Sequence, residues 1–452
     1  MAEFTNARGS VLSVSNSGSE GWDPAKQHLP TGMPPVGQMG TGFRLSRKET
    51  ERLRALAGRV AEIAALPLQE EKKRKWTAHN DLKSKEPLVH IDAENGWNEL
   101  IPAGELLCED NLARTWEMHL LKQIYWHEVL KDDKVIEATF EVPVAYTDTG
   151  WGLEMRKESR GGDGSFHIIP AIKDYEADFA KLHYPEIVIE KENTERLWAL
   201  AGELFGGTLA LRRRTVWWWS MGMTVDFIML RGLEEFLCDF VLEPEWVHRM
   251  MEMMTQGIER RLDWLEREGL LSPNTEGAYV GSGGFGWTDE LPSWADAPSP
   301  LTTMGMWGFV ESQETSTVNP EMYGEFIFPY HKRLAERFGL NCYGCCESVT
   351  SRWHIVKQLP RLRRVSVSSW ADWEKVPETL GDGYIASFKP SPSRLAMPAM
   401  DEGLVRADVA RALACSRGGY PELIMKDNHT LGKNPRNASR WVEICREEIA
   451  KL

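Results

Sequence analysis

The sequence has little cysteine, no long apolar run and no excess of basic residues. Its seven cysteines are unevenly spaced and odd in number, which is typical of free thiols in a reducing compartment, so we expect a cytoplasmic protein. No apolar stretch approaches the roughly 20 residues that span a bilayer, and the first residues lack the pattern of a secretory signal. A net charge of −14 argues against nucleic acid as a partner. Membrane spans and nucleic-acid binding are therefore not expected.

Tryptophan is the residue that the chain has in abundance, with 19 copies, three of them consecutive at 217–219. Such rings either fill a core or line an aromatic pocket, and both interpretations remain open here. For the pocket, we assign substrate contacts to Trp218, Trp307 and Tyr343.

Residues 1–44 are rich in Gly, Ser and Pro and have no hydrophobic periodicity, which predicts a poorly ordered or arm-like extension. Ser46 and Glu49 have the spacing of a capping box, so a helix is predicted to begin there. We expect one domain over residues 45–452.

The C-terminal third alternates strand-like and helical patterns four times with short connections. This alternation predicts a parallel sheet with crossover helices. Four units make half of an eightfold barrel, so we expect a single (β/α)8 TIM barrel with an N-terminal extension. An open doubly wound sheet is the alternative, but no G-x-G-x-x-G fingerprint follows a strand. The glycine run 281–286 is predicted to be a flexible loop over the site.

The most reactive residue types lie in the run Asn341–Ser348. Cys345 and Glu347 are two apart, so on an extended chain they point to one side, whereas Cys346 would face away and serve packing. His429 follows the last predicted strand at the same rim. Thiolate, carboxylate and imidazole would form a three-ligand zinc site with an open, catalytic position. The alternatives are a buried cysteine and a surface-loop histidine.

A second cluster follows the apolar segment 304–310, which is suited to a barrel strand. Gln313 and Glu314 would then lie at the C-terminal end of that strand, where they could bind substrate, act as acid or base, or ligate the metal. We name both as candidate catalytic residues. Helix capping and surface charge are the alternative interpretation.

Several segments resemble the uroporphyrinogen decarboxylase superfamily, which includes the corrinoid-dependent methyltransferases. The resemblance covers roughly residues 51–452 and rests on motifs in the family's order: Gly222-Met223-Thr224, Leu230-Arg231-Gly232, the run from Leu242 to Val247, and the stretch from Gln313 to Tyr330. It implies a single TIM barrel.

The resemblance also separates the branches of the family. The decarboxylases carry an R-Q-A-G-R-like motif, and nothing like it occurs before Asp92. The methyltransferases carry His-x-Cys after a barrel strand and a late Cys. Alignment from Gly339 places these on Cys345 and Glu347, with the late Cys near His429. All three positions differ in residue type from the family, although each remains a zinc ligand type.

We therefore expect a Zn²⁺-dependent methyltransferase that works with a corrinoid (cobalamin) carried by a partner protein. The harder carboxylate and imidazole ligands favour an ether oxygen, which indicates O-demethylation of a methoxylated aromatic. The alternatives are a metal-free decarboxylase of a non-porphyrin or tetrapyrrole substrate and a non-catalytic corrinoid-binding barrel. A homodimer is a possible assembly.

Overall fold

The computed structural model describes residues 45–159 and 166–452, together with the backbone of two short N-terminal strands. Those two strands pair antiparallel with each other. The rest of the predicted 1–44 extension lies outside the described residues. No helix in the described part of the chain is long and apolar enough to cross a membrane.

The strands are numbered in chain order, and their bounds are β1 Glu3–Thr5, β2 Val11–Ser13, β3 Leu88–Ile91, β4 Thr139–Glu141, β5 Tyr146–Asp148, β6 Arg156–Ser159, β7 Phe166–Ile169, β8 Ile187–Ile189, β9 Ala210–Arg212, β10 Glu276–Val280, β11 Gly284–Gly286, β12 Trp307–Val310, β13 Leu340–Tyr343, β14 Leu362–Val367, β15 Ile385–Phe388 and β16 Tyr420–Met425.

The α-helices are numbered in the same way, and their bounds are α1 Arg47–Ala64, α2 Pro67–Asn80, α3 Trp97–Leu100, α4 Asn111–Tyr125, α5 Tyr175–Asp178, α6 Lys191–Phe205, α7 Thr224–Arg231, α8 Leu233–Leu242, α9 Pro244–Arg267, α10 Pro320–Phe326, α11 Phe328–Ala335, α12 Trp353–Val356, α13 Val376–Thr379, α14 Glu402–Cys415 and α15 Arg436–Ile449.

The central element is a six-stranded parallel sheet in the order β12-β13-β14-β15-β16-β3. Strands β13, β15 and β16 are buried along their whole length, as expected where helices cover a parallel sheet. The four strand–helix units predicted for the C-terminal third are confirmed, each with its strand in this sheet. The carboxyl ends of all six strands meet at one edge.

Two further parallel strands, β4 and β9, pair only with each other. Among the described residues, they do not join the six-stranded sheet in one continuous ladder. A backbone hydrogen bond of 2.9 Å from the Met221 N–H to the Phe309 carbonyl connects the segment after β9 to strand β12 of the large sheet. The described structure is therefore an α/β protein with a six-stranded parallel sheet and a separate parallel pair, and the expected single closed barrel is not seen as one hydrogen-bonded sheet.

Helix α1 begins where the sequence predicts. The Ser46 side chain accepts from the Glu49 N–H, and the Glu49 carboxylate accepts from the Ser46 N–H at 2.8 Å. This capping box satisfies two of the unpaired N–H groups at the helix start. Its apolar positions are buried, and the helix packs on α4.

The chain before β13 forms two short helices, α10 and α11. They meet at Ile327, whose φ and ψ of −120° and −51° are not helical. Pro329 causes the break because it lacks an N–H and constrains the preceding residue.

The glycine run 281–286 forms the turn and second strand of the antiparallel hairpin β10–β11. Residues 281–286 are buried, so the run is not the open loop that the sequence suggested. A side chain at Gly281 would meet the Cβ of Cys342 at 2.8 Å, and one at Gly284 would meet the guanidinium of Arg364. Glycine is needed because the turn packs directly on side chains of β13 and β14.

Beneath this hairpin lies a buried polar network. The Arg364 Nε lies 3.0 Å from the Glu422 carboxylate, and an Arg364 terminal nitrogen donates to Asn80 Oδ1 at 2.6 Å. Asn80 ends helix α2 and donates to the Phe285 carbonyl at 2.8 Å. The network ties α2, the hairpin and two sheet strands together.

Candidate active site

The main candidate site is an aromatic cavity of about 140 Å³ between the β4–β9 pair, the β10–β11 hairpin and strands β3 and β12. Its wall is strongly aromatic and includes Trp126, Trp217, Trp218, Trp219, Phe285, Trp307 and Phe309. A cavity of this size accepts one six-membered ring, since a hydrophobic cavity of about 150 Å³ is known to bind benzene.

Hydrogen bonds fix two of these tryptophans. The Trp217 indole N–H donates to the Leu270 carbonyl at 3.1 Å, and the Trp307 indole N–H donates to the Gly286 carbonyl at 3.1 Å. The Trp219 ring meets Phe309 edge to face with centroids 5.1 Å apart. The cavity wall is therefore held in place before any ligand binds.

One end of the cavity is polar. His90 on β3 lines it, and its Nδ1 lies 2.7 Å from an oxygen of Asp132. Lys134 also lines it, with its ammonium 4.7 Å from the Trp126 ring centre and 4.6 Å from that of Phe285. Burial lowers the pKa of Lys134. This end combines an imidazole, a carboxylate and an ammonium group.

Ion pairs from β4 and β9 close a second side of the cavity. Arg214 pairs with Glu141 at 2.7 Å, and Arg212 pairs with Glu137 at 3.0 Å. Burial raises the pKa of Glu137, against the lowering effect of the two arginines. Glu276 also pairs with Arg212 at 2.8 Å, so three carboxylates face two guanidinium groups on that side.

A second group of reactive side chains lies just outside the cavity, at the carboxyl edge of the sheet. The Cys345 sulfur lies 3.7 Å from the Lys426 ammonium nitrogen and 3.4 Å from the Ser282 hydroxyl, and the Lys426 ammonium also donates to that hydroxyl at 3.2 Å. All three side chains are buried. We call Cys345, Ser282 and Lys426 the thiol cluster.

The thiol cluster stabilises the thiolate. The pKa of Cys345 is lowered to about 7 because the Cys346 thiol donates to its sulfur and the Lys426 ammonium faces it, although burial acts in the opposite direction. The pKa of Lys426 is raised well above its ordinary value, because the nearby thiolate and Asp427 outweigh its burial. Thiolate and ammonium therefore form a buried ion pair near neutral pH.

Cys346 is not turned away from Cys345 as the sequence analysis expected. Strand β13 ends at Tyr343, and the turn that follows brings the two sulfurs to 3.7 Å. The alternation of sides that holds on a strand does not apply beyond its end.

The three predicted zinc ligands are not brought together. Glu347 does fold back beside Cys345, but its two oxygens accept from the N–H groups of Cys345 and Ser312, each at 2.9 Å. His429 is exposed in the loop after β16, with Nδ1 3.4 Å from the Asn95 amide. In the part of the chain that the structure describes, no three His, Cys, Asp or Glu side chains are grouped as metal ligands.

This donor set does not fit zinc. A tetrahedral zinc needs at least three protein ligands, and here the Glu347 oxygens are committed to backbone donors. The Lys426 ammonium stands beside the Cys345 sulfur where a cation would bind. Lys426 is the first residue after β16, so it reaches the sheet edge, whereas His429 lies three residues further along the loop.

The candidate catalytic residues Gln313 and Glu314 lie in a short 3₁₀ turn after β12, outside the cavity. Glu314 accepts from the Thr224 hydroxyl at 2.7 Å, and burial raises its pKa. Its neighbour Glu311 is fully buried, and burial with the nearby charge of Glu314 raises its pKa well above the usual range. The buried Glu311 and the half-buried Glu314 form an acidic cluster that does not line the aromatic cavity.

Two of the three predicted substrate residues, Trp218 and Trp307, line the cavity. Tyr343 is fully buried on β13 and is not part of the wall. The sequence analysis missed His90, Asp132 and Lys134. The sequence did contain a signal for each of them as a polar residue. His90 interrupts the apolar run Leu88–Ile91, and Asp132 and Lys134 are two residues apart.

The cavity and the thiol cluster are neighbours. Gly281 lines the cavity and precedes Ser282, and the Lys426 ammonium lies 6.0 Å from the ring centre of Trp219 in the wall. The thiol cluster thus holds the turn that forms one wall of the cavity. We assign it a positioning role.

Comparisons with known proteins give likenesses to solved structures only, at the level of the fold. No family model and no curated protein matches the chain. Among solved structures, the chain is similar to a methyltransferase from Methanosarcina mazei, with 11% sequence identity and a TM-score of 0.48. The match covers 83% of this chain and 98% of the other.

Proposed function

We propose that this chain is a methyltransferase that demethylates a small monocyclic aromatic methyl ether and passes the methyl group to a corrinoid held by a partner protein. The observation that carries the proposal is the tryptophan-lined cavity of about 140 Å³ beside the carboxyl edge of the sheet. The sequence resemblance described above supplies the reaction class.

The size of the cavity favours one substrate class over the alternatives. A single benzenoid ring fits, with its faces against the indoles of Trp217 to Trp219. A tetrapyrrole has four linked five-membered rings and is too large for this cavity, which argues against a tetrapyrrole decarboxylase. A corrinoid is too large for the same reason, so it would remain on its partner at the open edge.

A reduced corrinoid, when bound, would supply the nucleophile that takes the methyl group. The residues of this chain have three other tasks. The indole wall orients the ring and excludes water, the thiol cluster fixes the turn at Gly281, and the polar end of the cavity faces the oxygen that leaves. No step is assigned to zinc, because the donor set at Cys345 does not fit it.

The proposal also includes the interpretation of the fold as a barrel. We interpret the six-stranded sheet and the β4–β9 pair as eight strands of an interrupted (β/α)8 barrel, with the β10–β11 hairpin packed against its inner side chains. Reactive groups at the carboxyl ends of strands are typical of such barrels. The positions of Lys426 and Cys345, just after β16 and β13, support this interpretation.

The test is methyl transfer from monocyclic methoxyarenes to free cob(I)alamin, followed by the absorption change of the corrinoid. We expect turnover with one-ring ethers and none with two-ring ethers. Trp218→Ala should raise KM because it opens the wall, while Trp370→Ala, at a position 82% exposed, should change nothing. Release of CO₂ from aromatic acids without methyl transfer would instead support a decarboxylase.

A further inference from the structure

The orientation of His90 is set by a fixed carboxylate behind it. Asp132 is fully buried, and the oxygen that faces His90 Nδ1 at 2.7 Å also accepts from the Ile91 N–H at 3.0 Å. Its other oxygen accepts from the Lys134 N–H at 3.0 Å. An ionised carboxylate can only accept, so Nδ1 carries the hydrogen. In the neutral ring, Nε2 is then a hydrogen-bond acceptor available to a ligand.

Lys134 provides the complementary group. Its ammonium lies between the rings of Trp126 and Phe285, and among the described residues no carboxylate lies within ion-pair distance of it. The carboxylates that act on its charge at longer range are Asp132, Glu137, Asp92 and Glu141. Its N–H bonds are therefore available to an oxygen in the cavity.

The two groups lie at the same end of the cavity because they touch the same two rings. The His90 ring centre is 4.7 Å from that of Phe285 and 6.1 Å from that of Trp126, the same pair that flanks the Lys134 ammonium. A ligand oxygen placed between them would meet one acceptor and one donor.

We propose that this end of the cavity binds the hydroxyl group of a monocyclic phenol, which donates to His90 Nε2 and accepts from the Lys134 ammonium. The inference rests on the proposed function, since a phenol is the product of aryl methyl ether cleavage. It adds the residues that recognise that product.

A phenol fits this end better than an aromatic carboxylate does. A carboxylate has no hydrogen to donate to Nε2, and the four carboxylates around Lys134 would repel a further negative charge. An anisole also lacks the donor, so it would leave Nε2 without a hydrogen bond. The site therefore distinguishes the three ligands by one hydrogen bond.

The test is equilibrium binding of phenol, anisole and benzoate, measured by calorimetry without any corrinoid. We expect phenol to bind about tenfold more tightly than anisole or benzoate, the value of one net hydrogen bond. This comparison uses the unmodified protein and so does not depend on whether a variant folds. Equal affinity for phenol and anisole would overturn the proposal.

The variants add residue-level tests. His90→Asn keeps an N–H for Asp132 and removes Nε2, so phenol affinity should fall about tenfold while anisole affinity stays constant. Lys134→Met should weaken phenol in the same direction. His354 on α12 is exposed and lies outside the cavity wall, so His354→Asn is the control. An equal loss of phenol affinity in that control would overturn the proposal.

The outcome also separates this inference from the proposed function. Phenol selectivity that depends on His90, found without methyl transfer from any ether, would refute the methyltransferase and leave the phenol site standing. Methyl transfer without phenol selectivity would refute the phenol site alone.

Discussion

The Lys426 ammonium nitrogen lies 3.7 Å from the sulfur of Cys345, and both side chains are buried. The two residues come from the ends of different strands, β16 and β13, and meet through the Ser282 hydroxyl of the β10–β11 turn. A buried cation opposite a buried thiol is stable when the thiol is ionised. Through Ser282, this ion pair therefore helps to hold the β10–β11 turn, which forms part of the cavity wall, in its position.

The first prediction concerns the ionisation of Cys345. Its thiolate should appear with a midpoint near pH 7, because Cys346 donates to the sulfur and Lys426 faces it. The measurement is the thiolate absorbance near 240 nm as a function of pH, taken as wild type minus Cys345→Ser. Lys426→Met should move the midpoint upward, since the facing positive charge is lost.

Cys342 provides the control for that titration. It is also buried in β13, but burial raises its pKa to about 11, so Cys342→Ser should leave the transition near pH 7 unchanged. A Cys345 midpoint at or above 9 would show that the ion pair does not form.

The second prediction concerns metal content. We expect the purified protein to hold far less than one zinc ion per chain, because a zinc ion at Cys345 would have to displace Lys426. Elemental analysis after dialysis provides the measurement. One equivalent of zinc that Cys345→Ser and Glu347→Gln both remove would show that the thiol cluster rearranges around a metal.

The fold of the C-terminal third could be predicted from the sequence because it depends on local patterns. Strand β15 is a short, mostly apolar segment, and the apolar residues of helix α15 recur with the helical period. The strands β4 and β9, each three residues long, were not predicted. Such short strands carry too few residues for a period to be visible.

The candidate site was harder to predict because long-range packing decides it. Cys345 and the tryptophans were found from residue type alone. The partner of Cys345 was expected to be His429, but the end of β16 at Met425 makes Lys426 the residue that reaches the thiol. His90 and Asp132 are 42 residues apart, and no local pattern indicates that they meet.

The third prediction concerns the ion pair of Arg364 and Glu422, which is fully buried. Glu422→Gln leaves a buried guanidinium without its counter-ion, so we expect a loss of about 3–5 kcal/mol in the free energy of unfolding at pH 7. Urea denaturation measures it. Glu374→Gln, in the exposed pair with Arg411, is the matched control and should change stability little.

The same pair gives stability a pH dependence. Although burial alone would raise the pKa of Glu422, Arg364 and His79 hold it below its usual value. The carboxylate therefore stabilises the fold at neutral pH, and this contribution should be lost as the pH falls below about 4. A Glu422→Gln variant as stable as wild type at pH 7 would show that the ion pair contributes nothing.

The last prediction concerns Asp226 on α7, a carboxyl group whose ionisation destabilises the fold, in contrast to that of Glu422. Its oxygen accepts from the Trp151 indole N–H at 3.0 Å, yet burial raises its pKa to about 6. The folded state therefore prefers the protonated acid, and ionisation costs stability as the pH rises through 6. Asp226→Asn keeps an acceptor for Trp151 and cannot ionise, so it should stabilise the protein by about 1–3 kcal/mol at pH 8 and have little effect at pH 4. Urea denaturation at both pH values measures the difference.

Asp239→Asn is the control for this prediction, because Asp239 is paired with Arg231 at 2.8 Å and the loss of this pair should destabilise the protein at pH 8. An Asp226→Asn variant that is less stable than wild type at pH 8 would mean that the carboxylate is stabilised there by its neighbour Arg261.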